Sequence, residues 1–129
     1  MDKFDQKNLL VSVTVATETE PTTVDGVYSK TEDGFTLEFG IGTDKFVIAH
    51  SDKQTTVKAE GVMEYDITLK GERTFTMLST PFGKVKFCVT TEARRAAFTE
   101  NSIRLQLCYM LSADGVGDME RSVDLLIKN

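Results

Sequence analysis

Apolar residues recur at every second position along most of this chain, with polar residues between them. Successive side chains of a pleated strand point to opposite sides of a sheet, so this alternation predicts strands with one buried face. The pattern is densest from Thr74 to Leu111. Phe75 and Met77 alternate with threonines, and after a Pro81-Phe82-Gly83 corner, Val85, Phe87 and Val89 alternate with lysines, Cys88 and Thr90. Ile103, Leu105, Leu107, Tyr109 and Leu111 then alternate with Arg104, Gln106, Cys108 and Met110.

Elsewhere the same period repeats. Leu9, Val11, Val13 and Val15 share a face of a first strand running from Asn8 to Glu18, and Glu18-Thr-Glu-Pro21 ends it because proline cannot donate a ladder bond. A second strand, Thr22 to Lys30, is interrupted at Gly26, where a bulge or bend is expected. Asp33-Gly34 signals a tight hairpin through its positive φ angles. Phe35, Leu37, Phe39 and Ile41 follow, then Phe46, Ile48 and His50 in phase, then Thr55, Val57 and Ala59, then Met63, Tyr65, Ile67 and Leu69. Val123, Leu125 and Ile127 mark the last strand. Glu92 to Asn101 is the one place for a helix, with Thr91 as cap. At barely two turns it reads as a short turn or a continuation of strand.

About ten strands joined by short loops must run antiparallel, because parallel neighbours need long returns. With no helical layer to cover its apolar face, such a sheet must curl upon itself. The expected fold is all-β: one antiparallel up-and-down barrel of about eight to ten strands, spanning residues 1–129 as a single domain, its first and last strands paired to remove exposed edges.

Composition narrows the function classes. The chain has 129 residues, 40% hydrophobic and 27% charged, with a net charge of −5. That balance argues against nucleic acid and against anionic membranes, both of which need a basic face. No apolar run reaches the roughly 18 residues of a membrane span, and the charged N-terminus is unlike a signal peptide. A cytoplasmic protein is expected. Two cysteines are too few for a disulfide framework. If Phe87 pairs with Tyr109 and Val89 with Leu107, Cys88 falls opposite Cys108 on the outer face, where a reducing compartment would keep both as thiols.

Two parts of the chain carry a family resemblance. Ser79-Thr-Pro-Phe-Gly83, Val85-x-Phe87, Thr91 and Ile103-x-Leu105-x-Leu107-x-Tyr109-x-Leu111, with Gly26-Val-Tyr28 and Phe35-x-Leu37-x-Phe39 before them, resemble the YwiB-like family of uncharacterised bacterial proteins. The resemblance implies a calycin-like, lipocalin-type β-barrel and no established activity. The Arg-x-Gly of the family's middle has only Lys58-Ala-Glu-Gly61 as its counterpart here.

Candidate chemistry is sparse. Thr80-Pro-Phe-Gly83 reads as a corner in which Phe82 plugs a barrel end, or else gates a cavity. His50, the one histidine, points inward near a barrel mouth; without companion ligands or a nucleophile it reads as a hydrogen-bonded structural residue. Gly40-Ile-Gly42 leads into a strand and lacks a helix dipole for phosphate, and Asp114-Gly-Val-Gly-Asp118 lacks calcium-loop spacing. Arg94-Arg95 is a pair that could hold an anion, but it reads first as exposed and solvated. No catalytic constellation, metal set or cofactor motif is visible, so neither an enzyme nor a cofactor is expected.

The presumed inner set is rich in phenylalanine (35, 39, 46, 75, 87) and also holds Tyr65, Tyr109 and His50. An apolar wall with a few polar tips suits a small amphipathic guest, and equally a packed core. The favoured expectation is non-catalytic binding of a small, partly apolar molecule, with Phe82, Tyr109, Tyr65, His50 and Phe39 lining or closing the pocket. The alternative is a homodimeric interaction module with a filled core, resting on Leu10, Cys108, Met110 and Leu126 on the outer faces.

Overall fold

The computed structural model describes residues 3–17 and 20–129. Ten strands follow one another: β1 (Leu9–Ala16), β2 (Thr22–Lys30), β3 (Gly34–Ile41), β4 (Asp44–Ser51), β5 (Thr55–Glu60), β6 (Tyr65–Leu69), β7 (Thr74–Thr80), β8 (Gly83–Phe98), β9 (Ser102–Ala113) and β10 (Gly117–Lys128). A 3-10 turn at Lys3–Asp5 precedes them, and no α-helix occurs among the described residues. The expected end of the first strand, at Glu18 and Thr19, lies outside the described residues, as do Met1 and Asp2 of the charged N-terminus.

All ten strands belong to one antiparallel sheet in the order β6-β5-β4-β3-β2-β1-β10-β9-β8-β7. The chain meanders up and down, and β1 pairs with β10 from Ser12–Lys128 to Ala16–Asp124, so the first and last strands do close the ring. The one seam lies between β6 and β7. There Glu64 and Ser79 form a single bridge, each N–H donating to the other's carbonyl at 2.9 Å. The result is an all-β, nearly closed barrel.

The inner face carries the apolar set that the alternation predicts: Val11, Val13, Leu37, Ile48, Ile67, Leu69, Val89, Leu105, Leu107, Leu125 and Ile127 are all buried. Each such side chain removed from water contributes roughly 1.5–3 kcal/mol. The turns after β2, β4, β6 and β8 lie at one end of the barrel, here the lower. That end is plugged. Phe4 from the 3-10 turn packs edge-on against Tyr28 at 5.1 Å, and the Tyr28 hydroxyl donates to the Phe4 carbonyl at 2.7 Å. Phe35 continues the stack from Tyr28 at 5.4 Å and meets Phe98 at 6.4 Å.

Five local expectations are corrected. Phe75 and Met77 face solvent, at 63% and 48% exposure, while Thr76 between them is buried. Next to a seam without a ladder, β6 has carbonyls that need donors, and threonines supply them. Thr76 Oγ1 donates to Asp66 O at 2.8 Å and Thr74 Oγ1 to Thr68 O at 2.7 Å. Phe75 instead lies outside, with Lys86 Nζ 4.8 Å from its ring centre.

The β8–β9 hairpin is also displaced from its expected register. Residues Glu92 to Phe98 continue the strand, so the turn falls at Thr99–Ser102 and Val89 pairs with Leu111, Thr91 with Tyr109. Cys88 consequently faces Ser112 and Cys108 faces Ala93, so the two thiols are not opposed. A bulge between Thr91 and Ala93 inserts one residue and inverts the phase of the strand. Phe87, Val89 and Thr91 point inward before it, Arg94 and Ala96 after it.

Gly26 is no bulge: the β1–β2 and β2–β3 registers run through it without a shift. Gly34 begins β3 without a positive φ, and a side chain there would collide with the His50 carbonyl, so close strand approach rather than turn geometry requires the glycine. Met63 lies before β6, half exposed.

Candidate functional site

Ten strands enclose a wider lumen than the eight that side chains alone can fill. The lower half is filled by the aromatic plug, and the upper half holds a cavity of about 370 Å³. Tyr65 and Ile67 enter it from β6, Thr76 and Leu78 from β7, Phe87 from β8, Tyr109 and Leu111 from β9, and Met119, Arg121 and Val123 from β10. The wall is mainly apolar. Its polar tips are the two phenols, Thr17, Thr76, Ser122 and Arg121.

Tyr65 and Tyr109 thus line the same cavity. Burial is the main cause that raises the Tyr65 pKa, with Arg121 pulling it down and Asp44 pushing it up. The phenol is a neutral donor near pH 7, and among the described residues it has no hydrogen-bond partner. Arg121 lies across from Tyr109 on the neighbouring strand, in the inward phase, at the exposed rim of the cavity.

His50 sits at the other end of the barrel. It lines a lower-mouth cleft of about 490 Å³ together with Lys30, Asp33, Asp52, Arg94 and Phe98. Its Nδ1 lies 2.7 Å from Thr55 Oγ1, a hydroxyl with no solvent exposure. The Arg94 Nη1 donates to that same hydroxyl at 3.0 Å and to Ser51 O at 3.1 Å, and Nη2 donates to Asp52 O at 2.9 Å. A guanidinium can only donate, so Thr55 Oγ1 accepts from Arg94 and keeps its own proton and a second lone pair for the bond with His50 Nδ1. Either imidazole tautomer satisfies that bond. Burial, and next the Arg94 charge, lower the His50 pKa, against a smaller upward pull from Asp52. This cross-lumen network ties β8 to the β4–β5 turn and floors the barrel.

The remaining two candidates fall elsewhere. Phe39 is buried in the wall, stacked on Phe46 at 5.3 Å, and does not line the upper cavity. Phe82 neither plugs nor gates: it is 100% exposed. The corner itself forms as expected, Phe82 N–H donating to Thr80 Oγ1 at 3.1 Å, Thr80 Oγ1 to Gly83 O at 3.0 Å, with Gly83 at φ 133°. Its geometry directs the intervening ring away from the barrel.

Sequence reasoning missed Phe4, Thr55 as a buried hub, and Arg94. Phe4 carried a faint signal, an aromatic amid charges. Arg94 carried none, because only the bulge turns it inward while Arg95 stays exposed. Of the outer apolar residues named for a dimer, Cys108 and Met110 are neighbours along one face of β9, with Ala93 and Ser122 beside the first and Thr90 and Glu120 beside the second, whereas Leu126 lies between Arg104 and Thr14 and Leu10 opposite Val27. On the outer face Glu92, Cys108 and Glu120 bring three ligand-type atoms within 4.8 Å of one another. Burial, then Glu92 and Glu120, raise the Cys108 pKa, which disfavours the thiolate a metal needs.

Comparison with solved structures finds the ywiB protein from Bacillus subtilis, at a TM-score of 0.72 over 93% of this chain and 89% of that one. The likeness is one of fold. Identity between the two is 15%, so side-chain chemistry does not carry over. No family model matches the chain, and no curated protein matches it. No helix among the described residues is long and apolar enough to cross a membrane.

Proposed function

We propose that this barrel is a non-catalytic binder of a small, partly apolar molecule held in its upper lumen. What supports the reading is one juxtaposition: an apolar-walled cavity of about 370 Å³ with the unpartnered Tyr65 hydroxyl on its lining. That volume lies within the roughly 300–1,000 Å³ of small-molecule pockets, and a few polar groups on an apolar wall are what orient a guest there. The guest suited to it has a compact apolar body and an acceptor for a phenolic proton. The same proposal takes the barrel as calycin-like and cytoplasmic, a setting that suits two unpaired thiols.

Titration with the neutral fluorophore N-phenyl-1-naphthylamine tests this. Saturable one-to-one binding is expected in the native protein and should be lost in Leu78→Trp or Val123→Trp, whichever keeps the native melting profile. Absence of saturable binding, or equal binding by a folded filled variant, overturns the reading.

A further inference from the structure

The barrel's one incomplete joint lies directly against that cavity. Between β6 and β7 the only backbone bridge among the described residues is Glu64 with Ser79. Below it, Asp66 O and Thr68 O accept from the hydroxyls of Thr76 and Thr74 in place of a ladder. In an antiparallel strand the N–H and C=O of one residue point to the same side. The Asp66 and Thr68 N–H groups therefore also face the seam, and no strand there accepts from them. Every other junction around the barrel is a ladder of five or more paired residues, interrupted among them only by the bulge in β8–β9. The walls flanking the seam are the walls of the cavity, Tyr65 and Ile67 on one side and Thr76 and Leu78 on the other.

We infer that the seam between β6 and β7 is the door that parts to widen the exposed upper mouth as the guest enters and leaves the lumen. Opening it breaks one bridge and two hydroxyl-to-carbonyl bonds, whereas parting any other pair of strands breaks a ladder. Local opening follows the path of fewest protected backbone bonds. Thr76 is the latch, since its hydroxyl is buried and spans the joint at the depth of the cavity. Glu64 and Ser79 are the clasp above it, both on outward phases, where a crosslink between them leaves the lumen untouched. The inference rests on the proposed occupancy of the cavity and assigns its route of access.

The test is a reversible staple. In a Cys88→Ser, Cys108→Ser background, Glu64→Cys with Ser79→Cys is oxidised across the clasp and its mass checked for the loss of two hydrogens. Stopped-flow mixing with N-phenyl-1-naphthylamine should then show on- and off-rates each lowered about tenfold or more, with Kd within about twofold, both restored by dithiothreitol. Thr76→Val should raise both rates. A stapled protein that takes up the probe at the reduced protein's rate overturns the door. Hydrogen exchange gives an arm that needs no guest. The backbone amides of positions 64 and 79, bonded to each other's carbonyls across the clasp, should exchange far faster than the β9–β10 amides and be slowed by the staple; protection equal to β9–β10 overturns the door whether or not the probe binds. If no variant binds the probe while those amides exchange fast, the seam opens but the occupancy proposal fails, and with it the door as a guest route.

Discussion

Thr55→Val tests the network that floors the barrel. The substitution keeps the branched shape and removes one hydroxyl, so it opens no cavity. It deletes the bond from Arg94 Nη1 at 3.0 Å and the bond with His50 Nδ1 at 2.7 Å, at a residue with no solvent exposure. A charge-assisted bond contributes about 1.5–3 kcal/mol and a neutral one about 0.5–1.5. Arg94 keeps its contacts to Ser51 O and Asp52 O, so its charge is not stranded. The expected loss is about 2–4 kcal/mol, which for a chain of this length lowers Tm by roughly 10 °C. Urea unfolding followed by circular dichroism measures it, with Thr56→Val on the outward phase of β5 as a control that should stay within about 0.5 kcal/mol. Combining Thr55→Val with Arg94→Met should reveal a coupling of about 1 kcal/mol or more. A loss under about 1 kcal/mol for Thr55→Val, or additivity in the double variant, would refute the network as a unit.

Other outcomes follow from the same geometry. The His50 pKa is lowered on folding from its ordinary 6.5, so the unfolded chain binds the proton more readily. Stability from His50 is then fully present above pH 6.5 and declines as pH falls through that value toward the folded pKa, a slope that His50→Gln should flatten. Phe4→Ala should cost about 3 kcal/mol by emptying the lower plug, whereas Phe82→Ser should change stability by less than about 0.5, both read from urea midpoints. Mild oxidation should leave two thiols titratable per unfolded chain without any intramolecular disulfide, since Cys88 and Cys108 face Ser112 and Ala93 rather than each other.

Period-two alternation was enough to reach the strands, their antiparallel succession and the closure of β1 on β10, because each depends on which face of a strand is apolar. It failed where polar backbone demands overrode apolar preference. In β7 the unladdered carbonyls of β6 draw Thr74 and Thr76 inward and turn Phe75 out, although hydropathy ranks the residues the other way. In β8 an extra residue at the bulge reverses inside and outside within one strand, so Arg94 enters the lumen from a stretch that reads as solvated. Register suffered similarly: with Glu92–Phe98 taken as a connection, the cysteines seemed to face each other. Of the site, Tyr65 and Tyr109 were legible because they share the inward phase at matching height. His50 shares that phase too, but linear order does not say which end of a barrel a strand terminus reaches.

The central claim is that the upper lumen is hollow and apolar while the lower one is filled. Xenon enters dry apolar cavities and shifts the methyl resonances that line them. Under xenon pressure the methyls of Ile67, Leu78, Leu111 and Val123 should shift saturably, while those of Leu105, Leu125 and Ile127, all at 0% exposure in the packed half, should stay in place. Silent methyls throughout, or shifts confined to the lower set, would contradict it.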